Sequence, residues 1–174
     1  MSKSFKPFVI TAFLVVLLDQ LSKLWIRSTL PIGETRPILE NWIVLTHSKN
    51  AGAAWGMMSG QRWLLILVSI GVGAFILFMA REFAREAKGR VLALSALGLI
   101  FGGAVGNLID RIAFGVVTDF FDLQTSVQYL RTFPIFNIAD SALTIGVILL
   151  MLHFLLHREV EAPVTTKNNA SDSL

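Results

Sequence analysis

The chain has 174 residues, 54% of them hydrophobic and 16% charged, with a formal net charge of +3. That is too little charge for a soluble domain of this length, and a mean hydropathy of +0.66 points to several membrane spans sharing one small bundle. The lack of cysteine excludes a thiol nucleophile, a disulfide framework and a cysteine metal site. The basic residues gather in short loops between apolar runs, so the pI near 9.6 reads as membrane topology and not as nucleic-acid binding.

The N-terminus, Lys3 and Lys6 followed by Phe8 to Leu18, superficially resembles a secretory signal. No small-residue cleavage site follows, and the apolar run continues through Asp19-Gln20 to Leu24-Trp25-Ile26. It reads as a permanent first span, roughly Pro7 to Ile26. Asp19 and Lys23 lie within it at i, i+4 in the favourable acid-first order. A structural ion pair with Gln20 and Ser22 as polar neighbours is the plain reading, and a proton or ion pathway the functional one.

The first long loop, Ser28 to Gln61, exceeds a simple connection. Ile38-Leu39 and Trp42-Ile43-Val44-Leu45 are β-prone and separated by Glu40-Asn41, which predicts a small hairpin or sheet at the membrane surface. Asn50-Ala51-Gly52-Ala53-Ala54-Trp55-Gly56 follows as a small-residue segment where backbone can approach a ligand. Trp42, Trp55 and Trp63 suit the membrane interface.

Trp63 to Ala80 and Val91 to Ile109 are uncharged and long enough to cross about 30 Å of hydrocarbon. Gly98, Gly102 and Gly106 form overlapping GxxxG patterns on the third span, which allow close approach of the first or fourth span. Asn107, Asp110 and Arg111 follow within one turn. Arg111 can neutralise Asp19 or Asp110, or bind a phosphate or a backbone carbonyl. A fourth span, roughly Ile135 to Leu156, carries Asp140 near its start. Backbone groups in lipid must be satisfied internally, so all four are helices. His153 and His157 lack a third ligand and an HExxH pattern, so they read as interfacial histidines and not as a metal site. No GxSxG, SxxK or Walker pattern occurs, which leaves serine and nucleotide chemistries without support.

Four spans put both termini on one side. The Arg81 to Arg90 loop, with Arg81, Arg85, Lys88 and Arg90, joins Lys3, Lys6 and Arg158 there, and this density of basic residues makes that side cytoplasmic. Asp19, Asp110, Asp119 and Asp140 then all fall near the outer face. Acids in such positions are expensive and usually functional. Asp119 and Asp140 can form a carboxylate dyad, in which an ionised member takes a proton from water and a protonated one donates to a carbonyl. The plain alternatives are a hydrated loop acid for Asp119 and first-turn helix capping for Asp140, with Asn137 at the N-cap. Asp122 rivals Asp119, and Asn137 shares a helical face with Asp140. A small proton- or ion-coupled transporter using the same acids is the competing class, disfavoured because the acids lie at one end only.

Asp19-Gln20-Leu21-Ser22-Lys23, Asn50-Ala51-Gly52-Ala53-Ala54, Gly102-Gly103-Ala104-Val105-Gly106-Asn107-Leu108-Ile109-Asp110-Arg111, Val116-Val117-Thr118-Asp119-Phe120 and Phe136-Asn137-Ile138-Ala139-Asp140-Ser141-Ala142 occur in the order seen in bacterial lipoprotein signal peptidases (signal peptidase II). The chain resembles that family from the first span to the fourth. The resemblance implies an intramembrane aspartyl endopeptidase of the bacterial inner membrane. Such an enzyme removes the signal peptide of a diacylglyceryl-modified prolipoprotein just before the lipidated cysteine. It implies Asp119 and Asp140 as the catalytic pair, in preference to Asp122. Supporting or substrate-contacting roles fall to Asp19, Lys23, Asn50, Gly52, Asn107, Asp110, Arg111 and Asn137. It further implies an outer β-cradle, membrane lipid as a partner, binding of globomycin-type peptide inhibitors, and no metal or organic cofactor. Thr118 departs from the family, which more often has an apolar residue before the catalytic aspartate. The expected architecture is an all-α membrane fold with four transmembrane helices and a small extracytoplasmic β-cradle in the first outer loop. Residues 1–160 would form one peptidase domain and 161–174 a polar, disordered tail.

Overall fold

A computed structural model describes residues 5–39, 42–53, 57–85 and 90–157. The predicted hairpin turn at Glu40-Asn41, Ala54-Trp55-Gly56, Lys3, Lys88, Arg158 and the predicted polar tail lie outside the described residues. The elements in chain order are α1 (Lys6–Thr29), β1 (Thr35–Leu39), β2 (Ile43–Asn50), α2 (Arg62–Phe83), α3 (Arg90–Phe114), β3 (Val117–Leu123), α4 (Gln128–Arg131) and α5 (Ile138–Leu156).

Four of the helices are long and apolar enough to cross a bilayer: Lys6–Thr29, Arg62–Phe83, Val91–Phe114 and Ile138–Leu156. Their outward faces carry exposed Phe13, Leu21, Leu67, Phe75, Ile148 and Leu155, the surface expected of helices solvated by lipid. Lipid removes most of the hydrophobic drive for helix association, so close packing and polar contacts hold such a bundle. The α3 helix sits at the centre and packs against α1, α2 and α5. Its glycines permit this. A Cβ on Gly102 would lie 2.8 Å from Val15 Cβ and 2.9 Å from the Ala12 carbonyl. The Gly98/Gly102/Gly106 stripe therefore faces α1, one of the two partners its spacing allowed.

At one end of the bundle, Phe8, Ile76, Ala80, Phe83, Leu94 and Leu97 form a dry cluster. His153 packs beside it, 3% exposed, with its ring set edge-on to Phe83 at 5.5 Å. At the other end lies an antiparallel sheet in the order β1-β2-β3. The first loop supplies only β1 and β2. The third strand comes from the segment after α3, so the cradle is not confined to the first outer loop. Asp119 stands on this strand and is not a loop acid. The apolar residues of β3 explain the difference, because Phe120 packs into a buried cluster with Ile26, Leu30 and Leu45 that an irregular loop would leave open. Exposed β1 carries Pro37, which an edge strand tolerates because its N–H side needs no partner. Trp25, Trp42 and Trp63 are all exposed at this sheet end, where aromatic residues anchor spans at the membrane surface.

The α3 helix runs past the predicted end at Ile109 to Phe114. It stops at Gly115, whose φ of +78° suits a residue without Cβ. The fourth span begins at Ile138 and not at Ile135, because Phe136 pairs with Phe121 as a short extension of the sheet and Asn137 caps the helix.

Candidate active site

Asp140 occupies the N3 position of α5, inside a complete capping box. The Asp140 N–H donates to Asn137 Oδ1 at 3.0 Å, and the Asn137 N–H donates to Asp140 Oδ2 at 3.2 Å. The proposed capping role is therefore real, and it fixes the orientation of both side chains. A backbone N–H can only donate, so Asn137 must turn its oxygen to the helix and its amide nitrogen away. That nitrogen donates to Asp119 Oδ1 at 2.6 Å and to Asn107 Oδ1 at 3.1 Å.

Asn107 is oriented by the same logic from the other side. Lys23 Nζ donates to Asn107 Oδ1 at 2.9 Å, and an ammonium has no acceptor. The Asn107 amide nitrogen is thereby aimed at Asp140 Oδ1, 2.8 Å away. Each of the two carboxylates thus receives a side-chain amide whose direction is set by a neighbour that cannot reverse its role. Asp119 has a second donor in Asn50 Nδ2 at 3.0 Å, and Asn50 Oδ1 in turn accepts from the Gly52 N–H at 2.9 Å.

Asp119 and Asp140 line one cavity of about 310 Å³, with Asn50, Asn107 and Arg111 as polar neighbours and Phe133, Ile135 and Leu143 among its apolar walls. Burial, followed by the charge of Asp140, pushes the Asp119 carboxyl up from 3.8 to about 7, against the lowering effect of the Asn50 and Asn137 hydrogen bonds. A carboxyl of this kind is half-protonated at neutral pH, and perturbed groups in a cavity are candidates for proton transfer.

Beneath the cavity lies a buried charged cluster. Lys23 Nζ is 2.8 Å from Asp19 Oδ2 and 3.6 Å from Asp110 Oδ2, and all three side chains are fully buried. Asp19 also accepts from Gln20 at 3.0 Å and from the Ala139 N–H at 3.0 Å, one residue before Asp140. Gly106 makes room for it, since a Cβ there would meet Asp19 Oδ2 at 2.6 Å. Asp110 Oδ2 accepts from the Thr118 N–H at 2.9 Å, which ties α3 to the strand residue before Asp119. Arg111 takes the backbone option among those its position allowed: Nη2 donates to the Gly52 carbonyl at 3.0 Å.

The predicted positions Asp19, Lys23, Asn50, Gly52, Asn107, Asp110, Arg111, Asn137, Asp119 and Asp140 are thus brought together in one continuous network. Asp122 is not part of it. Its carboxylate accepts from Thr46 and Gln124 at 2.9 and 3.1 Å. Arg27 was missed. It lies one turn beyond Lys23, and Nη1 donates to Thr118 Oγ1 at 3.0 Å and stands 3.4 Å from Asp110 Oδ1. The i, i+4 spacing from Lys23 was the available signal. Among the described residues no group of three or more metal-ligating side chains occurs.

Residues 11–156 match the sequence profile of a family described as signal peptidase (SPase) II. The chain is 42% identical over 139 residues to the lipoprotein signal peptidase of Geobacillus kaustophilus, covering 80% of this chain and 86% of that one. It is 39% identical over 148 residues to the lipoprotein signal peptidase of Bacillus velezensis, covering 85% and 93%. A solved structure described as a bacterial membrane enzyme superimposes with a TM-score of 0.76 at 34% identity, covering 96% of this chain and 93% of that one.

Proposed function

Because the chain belongs to the signal peptidase II family, we propose that it works as an aspartic endopeptidase with Asp119 and Asp140 as its catalytic pair. It removes signal peptides from prolipoproteins as a multi-pass membrane enzyme. In the proposed mechanism the pair carries one proton near neutral pH, held by Asp119. Ionised Asp140 takes a proton from water as the water oxygen adds to the scissile carbonyl, and Asp119 donates its proton to that carbonyl oxygen. Collapse of the tetrahedral intermediate breaks the C–N bond as the proton on Asp140 passes to the leaving amine and one hydroxyl of the intermediate returns its proton to Asp119. Two carboxyls in one desolvated site share a proton because they do not readily ionise together, and the titration belongs to the pair.

The observation that carries this reading is the pair of fixed amides. Asn137 donates to Asp119 and Asn107 donates to Asp140, while both carboxyls line the same cavity. Positioning of this kind lowers the reorganisation required as charge moves between the two groups. Asn50, Gly52 and Arg111 would hold the substrate backbone. Asp19, Lys23 and Asp110 would brace α1, α3 and α5 around it.

The finer substrate is a diacylglyceryl-modified precursor cut just before its lipidated cysteine. Its acyl chains would lie between spans or face the bilayer, on the side where Leu143 and Ile135 wall the cavity. The site would open at the outer face of the bacterial inner membrane, with both termini cytoplasmic. Globomycin-type peptides would occupy the same cavity. A cleavage assay on the lipidated precursor and on its unmodified form, run on the wild type and on the two aspartate variants, tests the substrate and the dyad. Cleavage of the lipidated form alone is expected. Equal cleavage of both forms would overturn the lipid requirement, and full activity in Asp119→Asn or Asp140→Asn would overturn the dyad.

A further inference from the structure

Successive side chains along β3 point to opposite faces of the sheet, so the sheet separates two sets of functional groups. Val117 and Asp119 face the catalytic cavity, while Val116 and Thr118 line a second cavity of about 350 Å³ on the opposite side. Arg27, His47 and Lys49 line this second cavity with Ile32 and Phe114, and no acidic side chain does.

Its charge is not fully cancelled by the groups behind it. Arg27 shares Asp110 with Lys23, which also pairs with Asp19. With Lys49, which also borders a neighbouring cavity that Asp119 lines, three cations stand against the two anions Asp19 and Asp110. Arg27 is held for a ligand on both sides, by Thr118 Oγ1 at 3.0 Å and by the Phe114 ring, whose centroid lies 4.5 Å from its guanidinium carbon.

His47 supplies an independent sign of a ligand. It is 4% exposed, and its Nδ1 lies 2.7 Å from the Leu30 carbonyl. A carbonyl only accepts, so Nδ1 carries a proton, and in the neutral ring Nε2 shows a lone pair. That buried nitrogen has no partner among the described residues. An unmet buried acceptor is costly and calls for a donor. The cavity therefore offers cationic donors for an anion and a lone pair for a hydroxyl.

We propose that this cavity binds the phosphodiester headgroup of an anionic, hydroxyl-bearing phospholipid from the leaflet at the sheet end. The phosphate would sit on Arg27 and Lys49, and the headgroup hydroxyl would donate to His47 Nε2. A lipid source is favoured over a free anion because Ile32 and Phe114 are more than half exposed at the rim, at the level where α1 and α3 leave the apolar span. Phe114 closes α3 there, and Arg27 lies in the last turn of α1. The substrate's diacylglyceryl group lacks a phosphate, so this is a site for a bystander lipid. The proposal does not depend on which residues catalyse cleavage.

Native mass spectrometry of the full chain, released from mixed micelles, reads lipid retention directly. The probes are phosphatidylglycerol, phosphatidylmethanol (an anionic phosphodiester without the headgroup hydroxyls), diacylglycerol and inorganic phosphate. One phosphatidylglycerol should be retained in preference to the other three. Arg27→Gln and Lys49→Gln should each weaken retention about fivefold, the worth of one cation near an anionic lipid surface, and Arg81→Gln at the far end should not. His47→Asn keeps a donor for the Leu30 carbonyl and removes Nε2, so it should abolish the preference for phosphatidylglycerol over phosphatidylmethanol. Equal retention of diacylglycerol, or wild-type retention in a folded Lys49→Gln chain, would overturn the proposal. Inorganic phosphate competing as strongly as the lipid would overturn the lipid source.

Discussion

Replacing Asp119 by asparagine should abolish cleavage and yet stabilise the protein above neutral pH. Folding raises the Asp119 carboxyl from 3.8 to about 7, chiefly by burial and secondly by the charge of Asp140. Below the lower value both folded and unfolded chains are protonated, and the group costs nothing. As pH rises through the window between the two, the unfolded chain ionises while the folded one resists, so stability falls. Above about 7 the loss is complete. A shift of this size corresponds to about 4 kcal/mol.

Asparagine does not ionise, so the variant escapes that loss. It keeps the hydrogen bond from Asn137 to Oδ1, but its amide nitrogen confronts Asn50 Nδ2, the donor that Asp119 Oδ2 accepts at 3.0 Å. Losing that bond costs about 1 kcal/mol. The variant should therefore be about 0.5 kcal/mol less stable near pH 4 and about 3 kcal/mol more stable at pH 8, crossing near pH 4.5. Unfolding of purified wild type and variant in detergent, followed from pH 4 to 9, measures the difference directly. A pH-independent difference would refute the reasoning, because it would mean that Asp119 is not held against ionisation. A variant destabilised at every pH would do the same.

The wild-type cleavage rate should fall as pH rises above about 7, because the pair would lose the proton that the proposed mechanism needs; a rate that climbs steadily to pH 9 would contradict this. Asp140→Asn should lower the cleavage rate by at least 10²-fold with little loss of helix, since an asparagine oxygen can still accept the Asn137 N–H that Asp140 Oδ2 takes at 3.2 Å. Circular dichroism separates the two effects. Lys23→Met should cost about 3–5 kcal/mol, because it leaves Asp19 and Asp110 buried without their shared cation; adding Asp19→Asn should recover part of it in the same unfolding assay. Gly106→Ala would place a methyl 2.6 Å from Asp19 Oδ2 and 3.3 Å from Ala139 Cβ. It should destabilise by about 1–3 kcal/mol and slow cleavage, read as a joint drop in melting temperature and rate.

The spans, the Asp19–Lys23 pair and the hairpin were legible because each is a local pattern: a long apolar run, an i, i+4 spacing, two β-prone runs separated by polar residues. Asp119 on a strand was not. Its strand, Val117–Leu123, is short and follows a helix end, and its pairing with β2 spans a sequence separation that no local period reveals. The same holds for the start of α5. Ile135 and Phe136 are as apolar as the helix they precede, and only the sheet partner at Phe121 removes them from it. His153 shows the converse, a polar residue at a span's end whose burial against Phe83 depends on a neighbouring helix.

The network also explains why so many polar residues are spent on holding two carboxyls. A carboxyl pair that must exchange a proton needs donors on both members. Donors that could rotate would follow the charge and trap it on one side. Asn107 and Asn137 have no such freedom, since an ammonium fixes the one and a helix N–H the other. Lys23 therefore reaches Asp140 only through Asn107. Asp19, which pairs with Lys23, also accepts from the Ala139 N–H beside Asp140. In the proposed mechanism the cluster buried in α1 and α3 would act on the chemistry by fixing the direction of an amide, so Asn107→Asp, which puts a carboxylate acceptor where an amide donor faces Asp140, should damage cleavage more than Asn107→Ala, which only removes the amide.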